Sequence, residues 1–414
     1  MMRIFLVNII AAILLFSASF ARAEKKPPMN AFAALTRAGP NFDFISKVPK
    51  NKAVIPTADK LYKNDVVYYI PNAAAVVEND GDEFELKYKI SVGKVGKPLK
   101  IAADDTFKGK LPNKHLIITL PITLSYMFED SDEYGNYEFL LEIQNLKTGE
   151  RAEARTPITL AKWVRPEPIK DEKELNAAIL KYNLSFDPNI AYSIFTSPHM
   201  SFSDNKGNFA YAVYGFLKTA FTRNKFLLAE LEKEFPNASQ NQRKNTIQLF
   251  EILGEGYKLK GLNKSEQDLR DSMKKVVTSI PKTDSIPNSG AALDILWGEF
   301  FGSGEFAPIE KIISCAIDNS ANCVKFSELA CAGKSANTEM SNMETLLGAT
   351  AMSACWSLIA NYNKNDLAKK YTTWHLGKLP KDRLESFNAA VNATNKYLSN
   401  NKSKRSNGRQ GKEK

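Results

Sequence analysis

Between Asp65 and Leu160 apolar residues fall in short runs, some of them alternating at every second position, whereas from Asp171 onward they recur at every third or fourth. The first period is that of a half-buried strand and the second that of an amphipathic helix. Asp65–Ile70 and Ala75–Val77 are β-branched and aromatic, and Phe84–Ile90 alternates strictly between apolar and charged residues. Between them Glu78-Asn-Asp-Gly-Asp82 carries an Asp-Gly pair and predicts a hairpin turn. His115–Phe128 continues the pattern, with Pro121 marking an edge or a bulge. Asp130–Asn136 is a second acidic turn, after which Tyr137–Asn145 is expected to pair with Arg151–Leu160 across Lys147-Thr-Gly-Glu150. Six to eight strands in about a hundred residues predict an antiparallel sandwich, immunoglobulin-like in outline.

Arg165-Pro-Glu-Pro168 interrupts this pattern, and helices are predicted beyond it. They cover Asp171–Asn183, a stretch capped by Asp187-Pro188, and Phe209–Phe235 with a break near Thr222. Asn237–Lys258, Asn263–Ile280, Ser289–Phe301, Pro308–Ile317, Met343–Tyr362, Asp366–His375 and Pro380–Ser399 follow. The expected fold class is therefore α+β with segregated halves: a β-sandwich over residues 59–163, a linker over 164–170 and an all-α helical-hairpin domain over 171–398. Residues 24–58 read as a lead-in containing one short helix, Met29–Arg37, stopped by Gly39-Pro40.

The first residues change the compartment. Arg3 precedes an apolar run, Ile4–Phe20, that ends in Ala21-Arg-Ala23. This is the layout of a cleaved signal peptide over residues 1–23, with the mature chain starting at Glu24, and it predicts a periplasmic or secreted protein. Charge follows from the same cut. The formal net charge is +10. Removing Arg3 and Arg22, and the net +6 carried by Lys396–Lys414, leaves a nearly neutral body. The tail over 399–414 has no apolar residue, is expected to be disordered, and offers a contact for an anionic surface. No nucleic-acid partner is expected.

Four cysteines, Cys315, Cys323, Cys331 and Cys355, fall close together. In an oxidising compartment they are expected to pair, and a nested arrangement, Cys315–Cys355 with Cys323–Cys331, suits two helices joined by a loop. Their spacing matches no zinc template. Of the three histidines, His115 opens a strand and His375 ends a helix, where a charged imidazole suits the dipole. His199, in Ser197-Pro-His-Met-Ser201, is the one catalytic candidate, an imidazole flanked by two hydroxyls. Asp130-Ser-Asp-Glu-Tyr-Gly135 lacks two of the oxygens of a calcium loop, and Asp80 and Asp82 read as turn residues. Gly302-Ser-Gly304 lacks the Lys-Ser/Thr of a phosphate loop. Trp297, Phe300, Phe301, Phe306 and Trp356 have helical spacing and read as core. No cofactor or metal is called for.

Leu296-Trp-Gly-Glu-Phe-Phe-Gly-Ser-Gly304, with Trp356-Ser-Leu-Ile-Ala-Asn361, is similar to uncharacterised exported proteins of Gram-negative bacteria, over roughly residues 291–363. The resemblance implies a helical hairpin and a periplasmic setting, and no activity. Together these features predict an exported binding protein without catalysis, whose partner is another envelope or secreted protein. The alternative is an envelope hydrolase with a Ser/His/acid site assembled around His199.

Overall fold

The computed structural model describes residues 27–37, 57–115, 117–122, 124–203 and 209–410. The expected signal peptide over residues 1–23, with its expected cleavage between Ala23 and Glu24, lies outside them. Nine strands precede twelve helices among the described residues, so the segregated α+β class holds. The strands are β1 (Asn30–Thr36), β2 (Lys60–Leu61), β3 (Val66–Ala74), β4 (Glu83–Lys94), β5 (Lys100–Lys110), β6 (Ile118–Thr119), β7 (Leu124–Met127), β8 (Gly135–Asn145) and β9 (Arg151–Leu160). They form two sheets. One has the order β1-β3-β6, with β7 also on β3, and the other has the order β2-β9-β8-β4-β5. Pairing is antiparallel in the assigned registers of β3 with β6, β3 with β7 and β4 with β5, and parallel between β2 and β9.

Alternation sets which faces are inside. Phe84, Leu86, Tyr88 and Ile90 of β4, and Tyr137, Phe139, Leu141 and Ile143 of β8, are buried, with more exposed residues between them, charged except for Leu140. Three expectations change here. Met29–Arg37 is not a helix: Asn30–Thr36 is strand β1, because pairing in a sheet outweighs the weak helix preference of a short Ala-rich stretch. The Asp80-Gly81 turn is not a hairpin, since it leads from β3 in one sheet to β4 in the other and is closed by Leu111 through Gly81 N–H to Leu111 O (2.6 Å) and Leu111 N–H to Asp82 O (3.0 Å). The true partner of β4 is β5, whose polar sequence gave no strand signal.

The helices are α1 (Glu172–Lys181), α2 (Pro188–Phe195), α3 (Tyr211–Arg223), α4 (Phe226–Glu234), α5 (Gln240–Ile252) and α6 (Lys264–Ser279). They continue as α7 (Gly290–Ser303), α8 (Phe306–Asp318), α9 (Ser320–Cys331), α10 (Asn342–Tyr362), α11 (Asp366–Leu376) and α12 (Lys381–Gln410). The predicted cap Asp187 accepts a backbone N–H of the first turn, and so do Asp171, Asn263 and Ser289, the first residues of three predicted helices. The predicted break near Thr222 is Asn224, whose side-chain amide donates to Ala220 O (2.8 Å) and to the Tyr182 hydroxyl (2.8 Å). Helix α9 replaces an expected loop, and α12 runs on past Ser399 to Gln410, where a disordered tail was expected.

Compactness divides the chain into two units that interleave in sequence. The first comprises residues 1–33, 71–122 and 138–156, and the second 34–70, 123–137 and 157–414. Strands β1, β3, β8 and β9 run from one unit into the other. The second unit therefore holds all the helices together with the ends of several strands. Within it Arg37 and Asp65, both nearly fully buried, form an ion pair with Arg37 Nη2 2.7 Å from Asp65 Oδ2. The same guanidinium donates to Lys60 O and so ties the β1 end to the β2 segment.

Candidate functional site

The helical unit is organised by one unusually close crossing. A Cβ placed on Gly215 of α3 would lie 2.3 Å from Ile295 O of α7, and one on Gly298 of α7 would lie 2.1 Å from Ala212 O of α3. A Cβ on Gly302 would fall 2.1 Å from the Thr219 hydroxyl. No side chain fits between the two backbones there, so glycine at these three places is a requirement of close approach. Helix α7 starts at the Ser289 cap and stops where Gly304 takes a left-handed conformation (φ 65°). Its aromatic face is core: Trp297, Phe300 and Phe301 are buried, and Trp297 Nε1 donates to the Ser357 hydroxyl (2.9 Å). Trp356 departs from that expectation and is 55% exposed.

The close crossing places the polar flank of α3 beside that of α7 and opens a cleft of about 610 Å³. Lys218, Thr219, Thr222 and Arg223 come from α3, Glu299 and Ser303 from α7, Thr283 and Asp284 from the segment before α7, and Glu305 and Lys311 from α8 and its approach. Most of these groups hold one another. The Thr283 hydroxyl donates to Glu299 Oε1 (3.0 Å), and the Lys311 ammonium donates to Thr283 O. Arg223 donates to Ser303 O (3.2 Å) and to Arg37 O, lies 3.9 Å from Glu305, and its guanidinium sits 4.8 Å from the centre of the Phe186 ring. Burial pushes the Glu299 carboxyl above the ordinary carboxylate range, against the pull of Thr283, Lys218 and Lys311. The cleft thus carries three cationic and three anionic side chains, Lys218, Arg223 and Lys311 against Asp284, Glu299 and Glu305, with hydroxyls between them. Such a lining suits a ligand that itself bears both charges and hydrogen-bonding amides.

His199 is not at this cleft. Its ring is exposed and Nε2 lies 3.0 Å from Lys170 O, while its own N–H donates to the Ser197 hydroxyl (3.3 Å). The nitrogen that a hydrolase would point at a serine is thus held by a backbone carbonyl, and Ser201 accepts instead from Ser203 N–H (3.1 Å). His375 packs on Phe306, and burial lowers its pKa, which favours the neutral ring over the charged cap expected. The carboxylates of the acidic turns accept backbone N–H groups: Asp132 from Glu129 (2.7 Å) and Asp82 from Asn79 (2.9 Å) within their own turns, and Asp80 from the distant Lys114 (2.8 Å).

The structure joins none of the four cysteines in a disulfide, so the nested pairing expected is not seen in it. The reason is α9. Cys323 and Cys331 lie eight residues apart on one helix, a rise of about 12 Å, whereas a disulfide needs Cα atoms within about 7 Å. Cys315, Cys323 and Cys355 are buried instead among α8, α9, α10 and α12. Cys315 Sγ donates to Pro287 O (3.3 Å), and Cys323 Sγ lies 3.7 Å from Ala390 O. Burial pushes the Cys315 and Cys355 thiols up to about 12, which keeps them protonated and unreactive near neutral pH.

Sequence reasoning passed over Glu299, Lys218 and Lys311. The signal that marks them is a lone acid inside the apolar run Leu296–Phe301, between two glycines at the spacing of one helical turn.

No protein-family model matches this sequence, and no curated protein matches it. Among solved structures, the chain is similar to the native conformation of Escherichia coli alpha-2-macroglobulin at 9% identity, covering 88% of this chain and 26% of that one, with a TM-score of 0.19. A second structure of the E. coli protein, spanning domain MG7 to the C-terminus, gives 10% identity, 86% and 67% coverage and a TM-score of 0.21. The chain spans about a quarter of the length of the first of these. At such TM-scores the likeness carries no statement about fold or activity.

Proposed function

We propose that this chain is an exported binding protein of the bacterial envelope, periplasmic or secreted, that acts without catalysis and takes a polypeptide segment of another envelope or secreted protein into the α3–α7 cleft. The observation that carries the reading is the balanced lining of that cleft. Lys311 and Arg223 are tied to backbone carbonyls and Glu299 accepts from Thr283, and with Lys218, Asp284 and Glu305 they set three cations against three anions. Such a surface favours a ligand with paired charges over a simple anion or cation. Support for export rests on the Arg3, Ile4–Phe20 and Ala21-Arg-Ala23 pattern.

The test is a peptide array probed with the chain beginning at Glu24, followed by titration calorimetry on the best sequences. Peptides carrying both Lys or Arg and Asp or Glu are expected to bind, and Glu299→Lys and Lys311→Glu are each expected to weaken them about ten-fold or more. Equal binding by both reversals removes the cleft from the function. Mass measurement of the chain recovered from the periplasm of a Gram-negative host tests export, and a full-length chain retained in the cytoplasm contradicts it.

A further inference from the structure

Strand β5 has a neighbour on one side only: it ends the order β2-β9-β8-β4-β5, and no strand among the described residues lies beyond it. It is long, Lys100–Lys110, contains no proline, and is exposed or half-exposed at every position, with Ile101 62% exposed. An edge of this kind presents a row of backbone N–H and C=O groups able to accept another strand. Natural sheets often protect such edges with charged side chains, especially lysine. Here the sign changes along one face. Asp104 and Lys108 sit four residues apart, so both point to the same side. Each already pairs across to β4: Asp104 lies 3.9 Å from Lys87, and Lys108 lies 3.1 Å from Glu85.

We propose that β5 is a self-association edge, at which a second copy of this chain adds its own β5 antiparallel, with Thr106 on the twofold axis. That register sets Asp104 of each copy opposite Lys108 of the other, and Thr106 opposite Thr106. The charges then alternate across four strands, running Glu85, Lys108, then Asp104 and Lys87 of the second copy. By symmetry the row repeats in reverse. With Asp105 on the axis, Asp105 faces itself and Lys100 faces Lys110. With Phe107 on the axis, Asp104 faces Lys110 instead, while Lys108 faces Thr106, so the Asp104–Lys108 match at the centre of the edge is lost. Opposite charges facing each other stabilise a strand pair, and like charges destabilise it. A twofold contact also closes, so the pairing stops at a dimer.

The proposal is tested on the full chain by sedimentation equilibrium over a wide concentration range and by interchain disulfide trapping. A concentration-dependent dimer is expected. Asp104→Lys and Lys108→Asp, each alone, are expected to raise the dimer dissociation constant about ten-fold or more. Mixed together, the two variants restore complementarity, because every facing pair then joins one positive and one negative side chain, and the heterodimer is expected to form. Facing Cα atoms in an antiparallel pair lie within the range a disulfide spans. Thr106→Cys is therefore expected to yield a covalent dimer, and Phe107→Cys to yield far less. A chain that stays monomeric overturns the proposal. So does a dimer insensitive to both reversals, or trapping at Phe107→Cys that matches trapping at Thr106→Cys.

Discussion

The α3–α7 crossing and the β4–β5 hairpin are both pairwise contacts of long elements, yet they are held by opposite means. At the crossing, backbone meets backbone through Gly215, Gly298 and Gly302, with buried aromatic residues packed around them. At the hairpin, β4 buries one face while β5 buries almost nothing, and the pair relies on ladder hydrogen bonds and surface charges. Dispersion and apolar burial favour the first strongly. Exposed ion pairs favour the second weakly. Stability is thus concentrated where the cleft is built, and the hairpin adds little to it.

The largest effect is expected at the crossing. Gly215→Val forces atoms into a space where even a Cβ lies 2.3 Å from Ile295 O. It should cost about 3 kcal/mol or more in denaturant unfolding. A loss under about 1 kcal/mol, the range of ordinary surface changes, would show that the helices separate freely and erase the contrast. Next comes Arg37→Met, which leaves the buried Asp65 carboxylate without its partner. It is expected to cost about 3 kcal/mol, and Tm and the unfolding midpoint should fall together.

Glu299 sharpens the comparison through pH. Its folded-state pKa is raised, chiefly by burial. Folding therefore binds its proton more tightly, and the stability linked to that proton is present below the ordinary glutamate range and lost as pH rises through the raised value. Glu299→Gln should accordingly melt higher than the parent at neutral pH, with the gap closing as pH falls toward the ordinary glutamate range. A Tm difference that stays constant with pH would contradict this. The smallest effect belongs to the hairpin. Glu85→Ala, at a dilution where chains are single, should change stability by less than about 1 kcal/mol, the usual worth of an exposed pair. A larger loss in chemical denaturation would place the hairpin on a level with the helical core.

Local chemistry made much of this readable in advance. Asp171, Asp187-Pro188, Asn263 and Ser289 announced helix starts because a capping side chain acts within three residues of itself. Tyr137–Asn145 and Arg151–Leu160 announced neighbouring strands through alternation and a turn closed by Asn145 N–H to Glu150 O (2.9 Å). Strand β5 escaped because an edge strand wet on both faces has no apolar period to detect. Helix α9 escaped because only one of its buried residues, Leu329, is large and apolar, the others being Cys323 and Ser327, whose hydroxyl donates to Ala393 O (2.8 Å). The nested cysteine pairing is not seen for the same reason, since pairing depends on where helices place Cα atoms. Glu299 was visible as a letter, but its role needs Lys218 and Lys311, which are 81 and 12 residues away in sequence.

The sequence by itself determined the change from strands to helices near residue 165, most helix starts, and the charge balance of the body. Each of these is set by neighbours along the chain. Only tertiary structure decided which turn joins two sheets, that Cys323 and Cys331 share a helix, that Trp356 faces out, and that three glycines press α3 against α7. Those outcomes rest on contacts between residues far apart in sequence, where packing and close approach, not local preference, settle the lowest free energy.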